Sequence, residues 1–202
     1  MKGTMKCVIK AAPGEGNLEL IERPIPPVGP NDVLIKVHSM AVCGTDVHIM
    51  MWNPFASTRM KPPMVIGHEF SGEVVEKGEL VSQINIGDAV SAETHIVCNT
   101  CETCHNGNQH VCPHTKVIGL SRDGALAEYI SIPAENAIVF KKFANWEQLS
   151  LMEPFIAAVH AATQFDLVGK SVAVIGCGPI GAMGIGVAKY AVLCAARQLV
   201  DD

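Results

Sequence analysis

The 202-residue chain reads as a β-rich, barrel-like domain over residues 1–152, followed over residues 153–202 by the first strand and helix of an α/β dinucleotide-binding domain. Three observations carry that reading. Short β-branched runs alternate with Pro and Gly punctuation through about the first 150 residues, the apolar period then lengthens to that of a helix, and a Gly-rich turn follows a short apolar run near the end.

Taken in order, CVIKA, LELIERPIPPVGPND and VLIKV read as strands separated by loops, with Pro13-Gly14 the first of the turns, and FSGEVVEKG, DAVSAE, LAEYISIP and AIVF are further strand-like runs. From Trp146 the spacing of Leu149, Met152, Phe155, Ile156, Val159 and His160 is helical, and Pro154 requires either a break or a first-turn position. Ser171–Ile175 reads as a short buried strand that runs into Gly176-Cys177-Gly178-Pro179-Ile180-Gly181, and a small-residue helix continues to about Ala191. The chain stops at Asp202, short of the strand-helix-strand series that closes a nucleotide-binding sheet, so it is expected to be truncated at its C-terminal side.

Composition narrows the classes. Apolar residues at 49% and charged residues at 17% give a globular balance, too apolar for a disordered chain. With 15 Lys+Arg against 20 Asp+Glu the formal charge is -5, which argues against a phosphate-backbone binder and so against a nucleic-acid partner. No apolar run reaches the roughly 18 residues of a membrane span, and the N-terminus lacks a signal-peptide pattern, so a cytoplasmic protein with no membrane contact is expected. Eight cysteines in such a chain point to metal or chemistry, and their spacing decides.

Cys98, Cys101, Cys104 and Cys112 form CxxCxxCxxxxxxxC in a loop rich in Asn, Gly, Thr and His. Four close thiolates can enclose one tetrahedral zinc; iron-sulfur ligation and a disulfide pair are the alternatives. His105, His110 and His114 are expected to be solvated, because four cysteines already complete a tetrahedron. A second, dispersed set comprises Cys43-Gly44-Thr45-Asp46-Val47-His48, Gly67-His68-Glu69 and Glu153-Pro154. It offers one soft and two harder ligands, the mixture a catalytic zinc uses while one position stays open. Gly176, Gly178 and Gly181 match a dinucleotide turn: the first Gly makes the turn, the second admits the pyrophosphate, and the third allows close packing.

These motifs, in this order and spacing, make the chain resemble the zinc-containing medium-chain alcohol and polyol dehydrogenases from Met5 to about Ala191. CGTDVHI, GHEFSGEV, the four-cysteine lobe, DGALAEY and VAVIGCGPIG carry the likeness. CGTDVHI, EPF and FDLVGKSVAVIGCGPIG look most like the L-threonine 3-dehydrogenase branch, with the sorbitol and 2,3-butanediol branches also similar. The resemblance implies a GroES-like barrel, then the start of an incomplete Rossmann domain. It implies zinc-dependent oxidation of a small secondary alcohol with hydride transfer to NAD, and homo-oligomers as in relatives. It makes Cys43 and His68 ligands of a catalytic zinc, with Glu69 a ligand or its exchange partner, and the four-cysteine lobe a structural zinc site. Glu153 becomes either a further ligand or part of the proton relay. Thr45 would bond the reacting hydroxyl, His48 would pass the proton to solvent, and Asp46 would be structural. Gly176, Gly178, Ile180 and Gly181 would hold the cofactor.

His95 falls where threonine dehydrogenases place a His near the substrate, with a strand-end polar residue as the plainer reading. Trp52 and Met50-Met51 are read as core or loop packing residues, with lining of the alcohol pocket as the alternative, and Cys7, Cys177 and Cys194 as buried thiols without metal. Two departures stand out. After Lys189-Tyr190-Ala191 the family turns, whereas Val192-Leu193-Cys194-Ala195-Ala196 continues as helix former, and Asp201 is only a weak counterpart of the ribose-binding acid. A catalytically silent zinc-binding fragment is therefore the second expectation.

Overall fold

Alternation of inward apolar and outward polar residues turns the β-branched runs into strands, as Met5, Cys7 and Ile9 do in β1 (Thr4–Lys10) while Thr4 and Lys6 face out. The computed structural model describes residues 2–143 and 145–201, with 192–201 as backbone alone. After β1 come β2 (Leu18–Pro24), β3 (Asp32–Ala41), α1 (Gly44–Met51), α2 (Pro54–Ser57), β4 (Met64–Val65), β5 (Glu69–Lys77), β6 (Ala89–Ala92) and β7 (His95–Ile96). They are followed by α3 (Glu102–His105), β8 (Lys116–Val117), β9 (Tyr129–Pro133), β10 (Ala137–Val139), α4 (Trp146–Ser150), α5 (Met152–Thr163) and α6 (Pro179–Asp201).

The strands form three sheets, ordered β2-β1-β4, β10-β6-β5-β3-β9 and β7-β8, and neighbouring strands in each are antiparallel. Val33, Leu34 and Ile35 of β3 are all fully buried, so this central strand is covered on both faces. Its residues Val33 and Ile35 pack with Phe70 and Val74 of β5 and Val90 of β6 into the main core. A second cluster, built on Ile49, Ala56, Met60 and Ile66, lies beneath α1 and α2. Together these cores hold the ends of β3 and β5, where the candidate ligands are.

The chain divides into two compact units, Met1–Leu151 and Met152–Asp202. The second contains α5, with Pro154 in its opening turn, and α6, which extends past Ala191 to Asp201 as the helix-forming run 192–196 requires. One expectation is corrected here. Residues 171–177 belong to no strand, and Val172 and Ile175 are 45% and 100% exposed rather than buried. A strand exists only as half of a ladder, and no described segment pairs with this one. No helix among the described residues is long and apolar enough to cross a membrane.

Two candidate metal centres

The register of β3 against β5 brings the dispersed set together. Ala41 pairs with Glu69, so Cys43, two residues past Ala41, comes down beside His68, one residue before Glu69. Ligand atoms of Cys43, His68 and Glu69 all lie within 4.8 Å of one another. His68 and Glu69 are only 6% and 7% exposed.

Asp46 fastens the two segments. Its carboxylate accepts the Cys43 backbone N–H at 3.0 Å and the Gly67 N–H at 3.2 Å. Gly67 has a φ of +88, and a Cβ there would collide with the side chain of Met40, so only glycine makes this turn into His68 without strain. Asp46 is structural, as expected, but it spans both ligand-bearing segments.

The surroundings of this cluster disfavour an ionised thiol, and a bound cation would favour it. Burial pushes the Cys43 thiol up, hydrogen bonds from Thr45 oppose that, and the Glu69 carboxylate adds to it. His68 Nδ1 is a buried nitrogen with no hydrogen-bond partner among the described residues, which costs free energy unless an electron-pair acceptor meets it. Sulfur, imidazole nitrogen and carboxylate oxygen in one group fit zinc by donor chemistry.

The second cluster is closed. β7 and β8 pair His95 with Val117 and Ile96 with Lys116, making a neck from which residues 97–115 loop out. Asn99, at φ +55, donates to both carboxylate oxygens of Glu135 at 2.9 and 3.0 Å and so ties the loop to the body. Four sulfur pairs are close: Cys101–Cys104 at 3.5 Å, Cys98–Cys112 at 3.6 Å, Cys101–Cys112 at 3.8 Å and Cys98–Cys104 at 4.0 Å. A tetrahedron of Zn–S bonds of about 2.3 Å has edges of about 3.8 Å. A disulfide needs sulfurs about 2.05 Å apart, so the pairing alternative does not describe these thiols, which are free. A multi-iron cluster would spread its thiolates around a larger inorganic core.

The four thiols differ in how readily they ionise. The Thr100 backbone N–H, above all, draws Cys98 down to about 5. Cys112 is lowered mainly by the backbone N–H of Cys98, whereas burial, reinforced by the neighbouring sulfurs, pushes Cys104 up to about 12. Four thiolates packed this tightly require a positive charge among them. His105, His110 and His114 are exposed, as expected.

The remaining candidates lie as follows. Thr45 and His48 are three residues apart on α1, hence on one face, and His48 is exposed. Glu153 stands in the first turn of α5, in the second unit. In the glycine turn Gly176 has a φ of +94, and a Cβ on Gly181 would strike the Gly176 carbonyl, which fits the tight turn and close packing assigned to them. Ile180 is 53% exposed in the first turn of α6. Cys7 is buried as expected, but Cys177 is exposed: it lies in the turn rather than under a packed strand. The side chains of Cys194 and Asp201 lie outside the described residues.

His95 is held by an acid that sequence reading passed over. Glu93 Oε1 lies 2.8 Å from His95 Nδ1 and accepts the His95 backbone N–H at 2.9 Å. β6 runs antiparallel to β5, and Ser91 Oγ donates to the Phe70 carbonyl at 2.9 Å, so the chain leaves β6 at the end of β5 that carries Glu69. Lys10 and Asn53 were also missed. The one available signal was Asn53 before Pro54, a cap-and-start pair for a helix.

One four-thiol cluster and one three-donor mixed cluster, carried on a domain of antiparallel sheets, define the class as a metal-binding β-domain. Residues 29–142 match the alcohol dehydrogenase GroES-like domain, and the chain belongs to that family. L-threonine 3-dehydrogenase of Caldanaerobacter subterraneus subsp. tengcongensis is 51% identical over 189 residues, covering 94% of this chain and 54% of the relative. Among solved structures, a cobalt- and zinc-bound thermostable alcohol dehydrogenase from Pyrobaculum aerophilum matches with a TM-score of 0.81 at 29% identity, over 93% of this chain and 56% of that one. An alcohol dehydrogenase from Escherichia coli CFT073 complexed with NADH matches with a TM-score of 0.80 at 31% identity, over 92% and 53%. The chain spans about half the length of the curated relatives it matches.

Proposed function

We propose that this chain is the zinc-binding part of a cytoplasmic, NAD-linked secondary-alcohol dehydrogenase whose alcohol is most like L-threonine, and that it works as a homo-oligomer. The observation that carries the reading is the three-donor Cys43–His68–Glu69 cluster, with a buried ring nitrogen that has no hydrogen-bond partner among the described residues. Cys43, His68 and Glu69 would hold the catalytic zinc and the four lobe cysteines the structural one. A bound zinc supplies Lewis acidity that lowers the pKa of the alcohol. The nicotinamide supplies the hydride acceptor that no side chain can provide. Gly176, Gly178, Ile180 and Gly181 would bind that cofactor, with its pyrophosphate at the N-terminus of α6.

The chain's own residues handle the proton. The Thr45 hydroxyl can accept from the alcohol while donating onward, and His48, one turn along the same face of α1 and exposed, leads the proton to water. Glu153, on α5, would act as a further ligand or as a second proton carrier.

A chimera tests this reading: the chain replaces the matched residues of the Caldanaerobacter enzyme, which supplies the other half. Zinc-dependent NADH formation from L-threonine, abolished by Cys43→Ser, is the expected result. A folded, zinc-loaded chimera that forms no NADH from L-threonine, sorbitol or 2,3-butanediol contradicts it. That outcome would favour the silent zinc-binding reading.

A further inference from the structure

Asn53 follows α1 and caps α2, with φ −71 and ψ 174. Its side-chain oxygen accepts the Ala56 backbone N–H at 3.2 Å. A backbone amide can only donate, so the atom turned toward Ala56 is the oxygen. The other end of the Asn53 amide, 2.7 Å from His48 Nδ1, is therefore the NH₂ group. That group also can only donate. His48 Nδ1 must then be the accepting, unprotonated nitrogen, and the neutral ring carries its hydrogen on Nε2.

The contact is not incidental to a loose loop. The backbone N–H of Asn53 donates to the His48 carbonyl at 3.3 Å, so main chain and side chain of the same residue both grip His48. The Phe55 ring lies 5.7 Å from the imidazole, tilted by 50°, and Arg59 lies 4.5 Å over the far neighbour of that ring pair, Phe55. Ala56, whose N–H fixes the amide, is fully buried in the second core cluster. The orientation of the Asn53 amide is thus anchored in the core although His48 itself is exposed.

We propose that Asn53 is a positioning residue that holds neutral His48 as its Nε2–H tautomer, with Nδ1 occupied and Nε2 left as the nitrogen that presents a hydrogen. The inference deepens the reading of His48 as the outlet of the proton path and rests on that reading for its catalytic meaning. The tautomer itself is measurable without turnover.

Long-range ¹H–¹⁵N correlation spectra of the His48 ring, taken on the full 202-residue chain at alkaline pH, read the tautomer directly. In the wild type Nδ1 should resonate as a pyridine-type nitrogen and Nε2 as a pyrrole-type one. Asn53→Asp keeps an oxygen for Ala56 N–H, and Asp is as good a cap as Asn, but it presents an acceptor to Nδ1. The pattern should invert. Asn53→Ser keeps a capping oxygen and removes the amide, so the ring should relax to a mixture, which serves as the test if the Asp variant does not fold. A pyrrole-type Nδ1 in the wild type, or one pattern shared by wild type and variants, overturns the proposal. The chimera's failure to make NADH alongside an inverting tautomer would remove the relay reading and leave the Asn53 lock standing; NADH formation with an unresponsive tautomer would do the reverse.

Discussion

Asp46 and Glu93 are acids placed by backbone N–H groups and by imidazole, and each gives a prediction at the scale of one residue. Asp46 accepts from the N–H of Cys43 and of Gly67, so it sets the separation of two ligand-bearing segments before any metal arrives. Asp46→Ala should weaken zinc binding at the Cys43 cluster on the order of 10- to 100-fold, as loss of supporting contacts around a metal does. Competition with a chromophoric chelator measures it, and unchanged affinity would deny Asp46 that role. For Glu93, the hydrogen bond from His95 holds the carboxyl below the 4.5 of a free glutamate, against the opposing effect of burial. The folded value is the lower one, so the stabilisation is complete above about pH 4.5 and is lost as pH falls through the folded value. Urea unfolding should therefore find Glu93→Gln less stable than wild type at neutral pH, with the gap closing in acid; a gap independent of pH would contradict the pairing. The cysteines were legible as a group because their spacing is local. Cys43, His68 and Glu69 were legible as ligand types, but resemblance was needed to group them, since a register between distant strands brings them together. Glu93, Lys10 and Asn53 left no adequate pattern, because their partners are backbone groups or a ring placed by tertiary packing.

At the scale of elements, α1 carries Thr45 and His48 and is held at both ends. Cys43 and Asp46 hold its start, and its last turn is held by a buried lysine. Lys10 of β1 is fully buried; its Nζ donates to the carbonyls of Gly14 and Gly16 and lies 5.1 Å from the centre of the Trp52 ring. The Gly16 N–H in turn donates to the Met50 carbonyl at 2.8 Å, which joins this loop to the end of α1. Lys10→Met keeps the length and apolar stem but leaves two carbonyls without their donor. It should cost about 1–3 kcal/mol in urea unfolding. An unchanged midpoint would show that the loop is not held this way. The strands of the first unit were readable because β-branched alternation and Pro/Gly punctuation agree there. The run 171–175 carries the same apolar signal yet forms no strand, because periodicity describes a face to be covered and cannot supply the neighbour that covers it.

For the whole molecule, the two centres differ in closure. The lobe cysteines supply four donors within a loop pinned by its own neck and by Glu135, whereas Cys43, His68 and Glu69 supply three, one short of a filled tetrahedron. A site filled by protein ligands is structural and tight; one with an open position exchanges its metal more readily and can admit a substrate oxygen. Both belong to Met1–Leu151, so both should form from the first unit's own folding. Chelation should accordingly strip the Cys43 centre first and the lobe later, with loss of structure following only the second loss. The most direct test of the account is the zinc content of the purified chain by elemental analysis, alone and as Cys101→Ser and Cys43→Ser. Two zinc ions per wild-type chain and one in each variant are expected, the Cys101→Ser protein also losing thermal stability. Unchanged zinc in Cys101→Ser, or a wild-type chain that binds no zinc at the Cys43 cluster when metal is supplied in excess, would contradict it.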